Sequence, residues 1–379
     1  MDLNLQRPGA GWIEREHHPD EAWDVKERFR HKLVDVEDMR IYFRPRRVSM
    51  LRRIENPIRA VDGVSLSIFR GETLALVGES GSGKSSLGRG ILRLHPLTGG
   101  RVVFDGIDLS SLSSSELRRT RRRMQLIFQD PYSSLNPRMS VETLIGEPME
   151  AHGLTRGDQT RERVLELLSR VGMPATAIAR YPHEFSGGQR QRIGVARALA
   201  VNPDFIVADE PVSALDVSVQ AQVLNLLQDL QSELDLTYLF LAHDLAVVRQ
   251  IASRVAVMYL GKIVEVAATE DLYEEPLHPY TTALLAAVPV PDPVVARSQK
   301  PQVLKGEIPS PANPPSGCRF RTRCPLREAL GDPAVCAEAE PALAQTRPQR
   351  WVACHFDGQT KLDSVGAAAR SSSPERRKG

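Results

Sequence analysis

The segment Gly-Glu-Ser-Gly-Ser-Gly-Lys-Ser at residues 78–85 restricts the folds that this chain can adopt. It fits the pattern G-x-x-x-x-G-K-[ST], follows the apolar run "TLALV" and opens the helix-like run "GKSSLGRGILRL". The glycines let backbone N–H groups converge on phosphate oxygens, and the helix N-terminus and Lys84 favour negative charge. This context disfavours the alternative of a glycine-rich turn without a ligand. The residues predicted to bind phosphates are Gly78, Glu79, Ser80, Gly81, Ser82, Gly83, Lys84, Ser85 and Ser86.

A phosphate-binding loop of this type needs a carboxylate at the end of a neighbouring strand to hold Mg²⁺. The run "FIVADE" supplies Asp209 for that purpose, and the Ser85 hydroxyl is a second predicted Mg²⁺ ligand. Glu210, the next residue, is placed to activate a water molecule as a general base. By itself this run would indicate only a strand that ends in solvated acids.

The sequence also contains a second glycine-rich helix start, "FSGGQRQ" at residues 185–191, which runs into "RIGVARALA". It resembles an anion site as well, although the chain already has a better one about a hundred residues earlier. The local sequence does not indicate which anion this second site would bind.

Strand-like and helix-like patterns alternate along most of the chain, which predicts an α/β fold with a mainly parallel sheet covered on both faces. Amphipathic helical patterns fill residues 139–182, and the pairs "GGRVVFDGIDL" and "RVAVMYLGKIVEV" indicate hairpins. The predicted organisation is an N-terminal extension (1–30), a main domain (31–290) with a helical subdomain at about 130–185, a proline-rich linker with a cysteine-containing module (291–358), and a disordered tail (359–379).

Composition excludes several classes of protein. The 379 residues carry a net charge of +2, whereas a general nucleic-acid binder needs a strongly basic face. The sequence shows neither a membrane-spanning apolar run nor a signal-peptide pattern, so we expect a cytosolic protein that reaches a membrane only through partners. Five arginines at residues 116–124 are expected to form a solvated helix face, with anionic lipid as an alternative contact.

All the cysteines lie in the last sixth of the chain, with spacings C-x5-C, C-x11-C and C-x17-C. In a reducing compartment such a cluster indicates metal before disulfides, and four thiolates suit either an iron-sulfur cluster or zinc. The third alternative is free thiols without metal. The candidate ligands are Cys318, Cys324, Cys336 and Cys354, with His355 as a substitute.

Six motifs in order resemble the ATPase subunit of ABC transporters over about residues 33–290: the P-loop, "FQD", "FSGGQ", "FIVADEP", "SALD" and "LAHD". The resemblance implies an ATP hydrolase with a P-loop NTPase core, an ABC-type β-subdomain and an inserted helical subdomain. It also implies a head-to-tail dimer in which the "SGGQ" signature of one subunit closes over the ATP of the other. The signature residues are Ser186, Gly187, Gly188 and Gln189.

The resemblance assigns roles to four further positions. Gln129 is similar to the Q-loop glutamine that reaches Mg²⁺ and the attacking water, and His243 to the switch histidine at the γ-phosphate. Asp216 is similar to the D-loop aspartate at the dimer interface. Phe43 stands where the family places an aromatic residue on adenine, although Tyr42 is adjacent. Without the resemblance, Gln129 would be read as a turn residue and His243 as structural.

Several stretches, among them "QDPYSSLNPR", "HPYTTALLAAVP" and "GEIPSPANPPSGCRF", resemble the ATPases of oligopeptide and dipeptide importers, particularly the second of two paralogues. Similar tails in that group imply a [4Fe–4S] cluster. The implied partners are two permeases, a paralogous ATPase or a second copy, and indirectly an extracytoplasmic peptide-binding protein. The implied location is the cytoplasmic face of the membrane.

Three alternatives stay open at this point. In the first, the protein serves an importer whose transported solute is nickel or another small molecule and not a peptide. A soluble ABC-type ATPase of translation or DNA maintenance would need no permease, but the sequence shows neither a second P-loop nor sustained heptads. In the third alternative, the protein is still an ATPase, but its cysteine-containing tail senses the redox state and controls the activity.

Overall fold

The computed structural model describes residues 31–44, 56–288 and 304–357. The predicted N-terminal extension, the predicted disordered tail and part of the proline-rich linker lie outside these ranges. The strands in the described ranges are β1 (Lys32–Phe43), β2 (Ile58–Phe69), β3 (Thr73–Val77), β4 (Gly99–Phe104), β5 (Ile107–Asp108), β6 (Met124–Ile127), β7 (Phe205–Asp209), β8 (Thr237–Ala242), β9 (Arg254–Tyr259), β10 (Lys262–Ala268), β11 (Ala344–Arg347) and β12 (Arg350–Val352).

The larger sheet has eight strands in the order β11-β12-β10-β9-β3-β8-β7-β6. Its five strands from β9 to β6 are parallel, and β10, β12 and β11 extend it by antiparallel pairing. The central runs "TLALV", "FIVAD" and "TYLFLA" are buried along their whole length, as expected for parallel strands covered on both faces. The carboxyl ends of β3, β7 and β8 therefore meet at one edge, where α/β folds bind ligands.

The helices in the described ranges are α1 (Lys84–Ile91), α2 (Ser114–Arg121), α3 (Pro131–Ser134), α4 (Val141–Ala151), α5 (Asp158–Arg170), α6 (Gly187–Leu199), α7 (Val217–Leu234), α8 (Leu245–Ile251), α9 (Thr269–Glu274), α10 (Pro279–Ala286), α11 (Pro325–Ala329) and α12 (Val335–Glu338). Alternate strand residues face two separate cores. Ala75 of β3 belongs to the core that includes α4 to α7, whereas Leu74 belongs to the core shared with α1. This alternation follows from the two-residue period of a strand.

A second, antiparallel sheet in the order β2-β1-β4-β5 covers the core shared with α1. Between β6 and β7 the chain forms α3 to α6 and two short 3₁₀ helices, so the expected helical insertion is present. The fold thus contains the predicted mixed core, the β-subdomain and the inserted helices.

The C-terminal segment is joined to the main sheet. After α11 and α12, the hairpin β11–β12 pairs with β10, through Glu265 opposite Val352 and Val266 opposite Trp351. This pairing gives the segment a hydrogen-bonded attachment that no short-range sequence pattern indicates.

Candidate functional site

The predicted P-loop connects β3 to α1 and lies at the carboxyl edge of the sheet. The Lys84 ammonium folds back and donates hydrogen bonds to the carbonyl oxygens of Gly78 (2.8 Å) and Glu79 (3.1 Å). Burial lowers the pKa of Lys84, while the nearby carboxylates, Glu210 first, act in the opposite direction. A cation is therefore held at the centre of the loop.

Two glycines of the loop have no room for a side chain. A Cβ atom on Gly83, whose φ is +108°, would lie 2.1 Å from the carbonyl oxygen of Ala60, and one on Gly78 would lie 2.2 Å from that of Met258. Both distances are far inside van der Waals contact. The loop conformation therefore depends on glycine at these positions.

The predicted Mg²⁺ ligands lie next to each other. The Ser85 hydroxyl donates to the Asp209 carboxylate over 2.7 Å, and Asp209 is only 1% exposed at the end of β7. Arg89 of α1 lies 3.5 Å from the other Asp209 oxygen. Hydroxyl and carboxylate oxygens are the hard donors that Mg²⁺ prefers, so this pair fits the ion chemically.

The carboxylate of Glu210 connects two of the other predicted residues. Its Oε2 atom accepts a hydrogen bond from Gln129 Nε2 (3.0 Å) and lies 3.1 Å from His243 Nδ1. Glu210 has a φ of +45°, in the left-handed region that non-glycine residues seldom adopt, and its N–H donates to Leu241 (3.0 Å). The backbone conformation at Glu210 therefore turns its side chain out of the strand direction and toward Gln129 and His243.

The predicted signature residues form the N-terminus of α6. Ser186 caps the helix, its hydroxyl accepting the Gln189 N–H, and the Gln189 side chain accepts the Ser186 N–H over 3.0 Å. Gly188 packs against α7, where a Cβ would lie 2.3 Å from a Val219 methyl group. In the described ranges, no hydrogen bond joins these residues to the P-loop of the same chain. The second glycine-rich segment is therefore a separate helix N-terminus.

Asp216 caps the N-terminus of α7 and accepts hydrogen bonds from the Ser218 hydroxyl (2.7 Å) and the Val219 N–H (3.0 Å). These bonds lower the pKa of Asp216, so it is an anion at neutral pH. The neighbouring Val217 is 83% exposed, although valine usually lies inside a protein. An apolar residue and a fixed charge thus share one exposed turn.

Of the two aromatic residues considered for adenine, Tyr42 donates its hydroxyl hydrogen bond to Asp62. Phe43, the last residue of β1, is 37% exposed, and its ring makes an edge contact with His95 at a centroid distance of 5.4 Å. Phe43 therefore has the freer ring face of the two.

The four cysteines lie around one small cavity, which Phe320, His278 and His355 also line. None of the four forms a disulfide. Burial raises the pKa of Cys318 to about 11 and that of Cys354 to about 12, and it also raises the pKa of the other two. In the parts of the chain that the structure describes, no three potential ligands converge closely enough to hold a single metal ion.

The structure adds two residues to the site that the sequence did not indicate. The Tyr280 hydroxyl accepts a hydrogen bond from the Glu79 N–H of the P-loop (2.8 Å), and Arg323 pairs with the Glu79 carboxylate. Tyr280 lies in the stretch "HPYTTALLAAVP", which resembles importer ATPases but does not by itself indicate a contact with the P-loop.

The start of α10 is held in place by a buried carboxylate. Glu265 accepts the N–H groups of Leu277 and His278, each over 2.9 Å, and is 0% exposed. His278 caps the helix through Nδ1, which accepts the Tyr280 N–H (3.1 Å), and burial lowers the pKa of His278 to about 3. His278 is therefore neutral at physiological pH, and Tyr280 is fixed beneath the P-loop.

Two protein-family models match segments of the chain. The model of the ABC transporter family matches residues 61–213, and that of the oligopeptide/dipeptide transporter C-terminal region matches residues 264–329. The oligopeptide transport ATP-binding protein AppF of Bacillus subtilis is 51% identical over 86% of this chain and 97% of its own length. A putative peptide import ATP-binding protein of Brucella ovis is 57% identical over 79% of this chain and 92% of its own.

Solved structures agree with these matches. The ATP-binding cassette MJ0796, described as a dimer in a post-hydrolysis state with ADP and Pi, is 30% identical, with a TM-score of 0.55 over 62% of this chain and 98% of that one. CbiO1 from Clostridium perfringens, part of the ABC transporter complex cbiONQ, is 26% identical, with a TM-score of 0.55 over 65% of this chain and 92% of that one.

These likenesses cover the P-loop, the strand that ends in Asp209 and the C-terminal segment around Tyr280. They confirm the predicted ABC-type P-loop fold and disfavour a soluble ATPase of translation or DNA maintenance. No helix in the described ranges is long and apolar enough to cross a membrane. The chain belongs to the ABC transporter family, among the ATP-binding proteins that carry the oligopeptide/dipeptide transporter C-terminal region.

Proposed function

We propose that this protein is the ATP-hydrolysing subunit of an importer for oligopeptides or dipeptides. The observation that carries the proposal is the position of Glu210, which contacts both Gln129 and His243 directly after the strand that presents Asp209. The names of the relatives support peptides over nickel or another small solute as cargo.

The residues act by positioning and charge stabilisation, as phosphoryl transfer requires. The P-loop N–H groups and Lys84 bind the ATP phosphates, Phe43 stacks on adenine, and Glu210 accepts a proton from the attacking water. Ser85 and Asp209, with Gln129, would hold Mg²⁺, which would neutralise charge on the phosphates. His243 orients Glu210 and contacts the γ-phosphate.

The site is completed by a second subunit. The N-terminus of α6, with Ser186 to Gln189, binds the γ-phosphate of ATP in the partner, and Asp216 lies across the interface. The exposed Val217 supports this assignment, because contact with another subunit would bury it. The second subunit is a paralogous ATPase or a second copy of this chain.

The protein is a peripheral subunit at the membrane, and it works on the cytoplasmic face. Its partners are two integral-membrane permeases, whose alternating access is driven by closure of the ATPase dimer. An extracytoplasmic peptide-binding protein acts with them indirectly. The membership in the transporter family supports these partners.

The cysteines around the cavity hold a [4Fe–4S] cluster. Four thiolates around one cavity would suit either an iron-sulfur cluster or zinc, and the resemblance of this tail to those of peptide-importer ATPases favours the cluster. The N–H groups of Arg327 and Phe356 donate to the sulfurs of Cys324 and Cys354, both over 3.4 Å, which suits thiolate ligands. Iron and sulfide analysis of anaerobically purified protein tests this, and stoichiometric zinc would contradict it.

The variant Glu210→Gln tests the proposed chemistry, because it keeps the side chain's size and removes the base. We expect ATP hydrolysis to fall by about 10²-fold or more, with ATP binding and an ATP-dependent dimer retained. Lys84→Ala should lose ATP binding. The control Glu233→Gln changes an exposed carboxylate of α7 and should leave the rate unchanged. Hydrolysis by Glu210→Gln at the wild-type rate would refute the assignment of the base.

A further inference from the structure

The P-loop is in contact with a residue from the far end of the chain. Arg323 is 244 residues away in sequence from Glu79, and its Nη1 and Nη2 atoms donate to the two carboxylate oxygens of Glu79 over 2.7 and 3.1 Å. We propose that Arg323 is a positioning residue through which the C-terminal segment sets the affinity of the P-loop for ATP. This inference rests on the proposed function of the loop.

The contact fixes the part of Glu79 that the rest of the loop does not hold. The backbone N–H of Glu79 donates to Tyr280, and its carbonyl oxygen accepts from the Ser82 N–H (3.1 Å) and from Lys84 Nζ (3.1 Å). Arg323 alone pairs with its carboxylate among the described residues. A two-point guanidinium–carboxylate contact fixes direction as well as distance.

The pair also balances charge at the place where a polyanion binds. The carboxylate of Glu79 belongs to the loop that receives the ATP phosphates, so an unpaired Glu79 would repel them. The Arg323 side chain is 7% exposed, and solvent and salt therefore screen the pair less than a surface ion pair. Removing the guanidinium leaves a negative charge beside the phosphates.

Arg323 is itself held by the aromatic packing of the C-terminal segment. Its N–H donates to the carbonyl oxygen of Phe320 (2.9 Å), and the Phe320 ring packs on Tyr259 and Tyr280 at centroid distances of 5.2 and 5.3 Å. Tyr280 and Arg323, whose side chains both contact Glu79, therefore belong to one packed unit with Phe320. Arg323 also precedes Cys324, so the cysteine-lined cavity adjoins this unit.

The test measures binding of a fluorescent ATP analogue with Mg²⁺ to the full-length protein, together with steady-state hydrolysis. Arg323→Ala should raise Kd and KM about 10-fold, equivalent to about 1.4 kcal/mol, while kcat at saturating ATP changes less than about threefold. A purely structural role would lower the amount of active protein and leave Kd unchanged. An unchanged Kd in folded Arg323→Ala would overturn the proposal.

A double variant separates charge from general damage. Arg323→Ala/Glu79→Gln should bind ATP more tightly than Arg323→Ala, because the unpaired charge is gone. Equal Kd values for the two would overturn the repulsion argument. Arg347→Ala is the matched control, since Arg347 also joins the C-terminal segment to the main domain by a two-point pair, with Glu275 (2.5 and 3.0 Å). Its Kd should stay within about twofold of wild type.

Arg323→Lys keeps the test decisive if Arg323→Ala does not fold. Lysine retains the charge but not the planar fork, so we expect a Kd about threefold above wild type. A wild-type Kd for Arg323→Lys would overturn the two-point positioning. Lys84→Ala distinguishes an error in the proposed nucleotide site from an error in the role of Arg323. If it binds ATP normally, the proposed nucleotide site is wrong; if it loses ATP and Arg323→Ala does not, only the inference about Arg323 fails.

Discussion

Truncation of Phe320 to alanine should detach the C-terminal segment from the P-loop side of the molecule. The Phe320 ring is 1% exposed and contacts the rings of Tyr259, Tyr280 and His278. Loss of a buried phenylalanine typically costs about 3–5 kcal/mol, which includes the cavity left behind. Aromatic pairs add about 0.5–1.5 kcal/mol each beyond the buried area, so the upper part of that range applies.

At about 2 °C per kcal/mol for a chain of this size, we expect the melting temperature of Phe320→Ala to fall by roughly 8–10 °C. The assay is differential scanning calorimetry on protein prepared identically to wild type. Because the Phe320 ring packs the segment that carries Arg323 against Tyr280, the affinity for ATP should fall as well. Phe320→Leu keeps most of the volume and should lower the melting temperature less. A fall below about 2 °C for Phe320→Ala would refute the claim that this ring anchors the segment.

Two further predictions concern stability. Gly188→Ala should destabilise the protein by about 1–3 kcal/mol in urea unfolding, because its Cβ would lie 2.3 Å from Val219, whereas Gly194→Ala in the same helix has open space and should stabilise by up to about 1 kcal/mol. Equal changes in the free energy of unfolding for Gly188→Ala and Gly194→Ala would contradict this reasoning. Burial opposes ionisation of Asp105, but hydrogen bonds from two arginines outweigh it and lower its pKa. This stabilisation is present above the unfolded-state pKa of Asp105 and is lost as pH falls through its folded-state pKa. The free energy of unfolding of Asp105→Asn should therefore lie furthest below that of wild type at pH 7, and the difference should vanish at low pH. A difference that does not depend on pH would contradict this prediction.

The parts of the site that could be predicted are those set by local sequence. The P-loop and "FIVADE" each follow a buried strand, and parallel strands bring their carboxyl ends together. The contact of Ser85 with Asp209 follows from that geometry, although 124 residues separate them. The roles predicted for Gln129 and His243 depend on the family resemblance, because a glutamine in a loop or a histidine after a strand has no distinctive pattern.

The contacts of the C-terminal segment could not be predicted, because they depend on tertiary packing. Arg323 is one of several arginines near the cysteines, and its pairing with Glu79 follows from the seating of Phe320 among buried rings. The pairing of β12 with β10 likewise depends on an edge left open by the preceding fold. The cysteine spacing indicated a cluster, and the structure adds that the four thiols share one cavity.

An ATPase that drives a peptide importer must assemble with permeases in the membrane. The most direct measurement is to express tagged Glu210→Gln protein in its own host, add ATP to trap the closed dimer, solubilise the membranes, and identify the co-purifying proteins by mass spectrometry. We expect two multi-spanning permeases, an ATPase partner and a peptide-binding protein to co-purify. Recovery of ribosomal or DNA-maintenance proteins without any permease would contradict it.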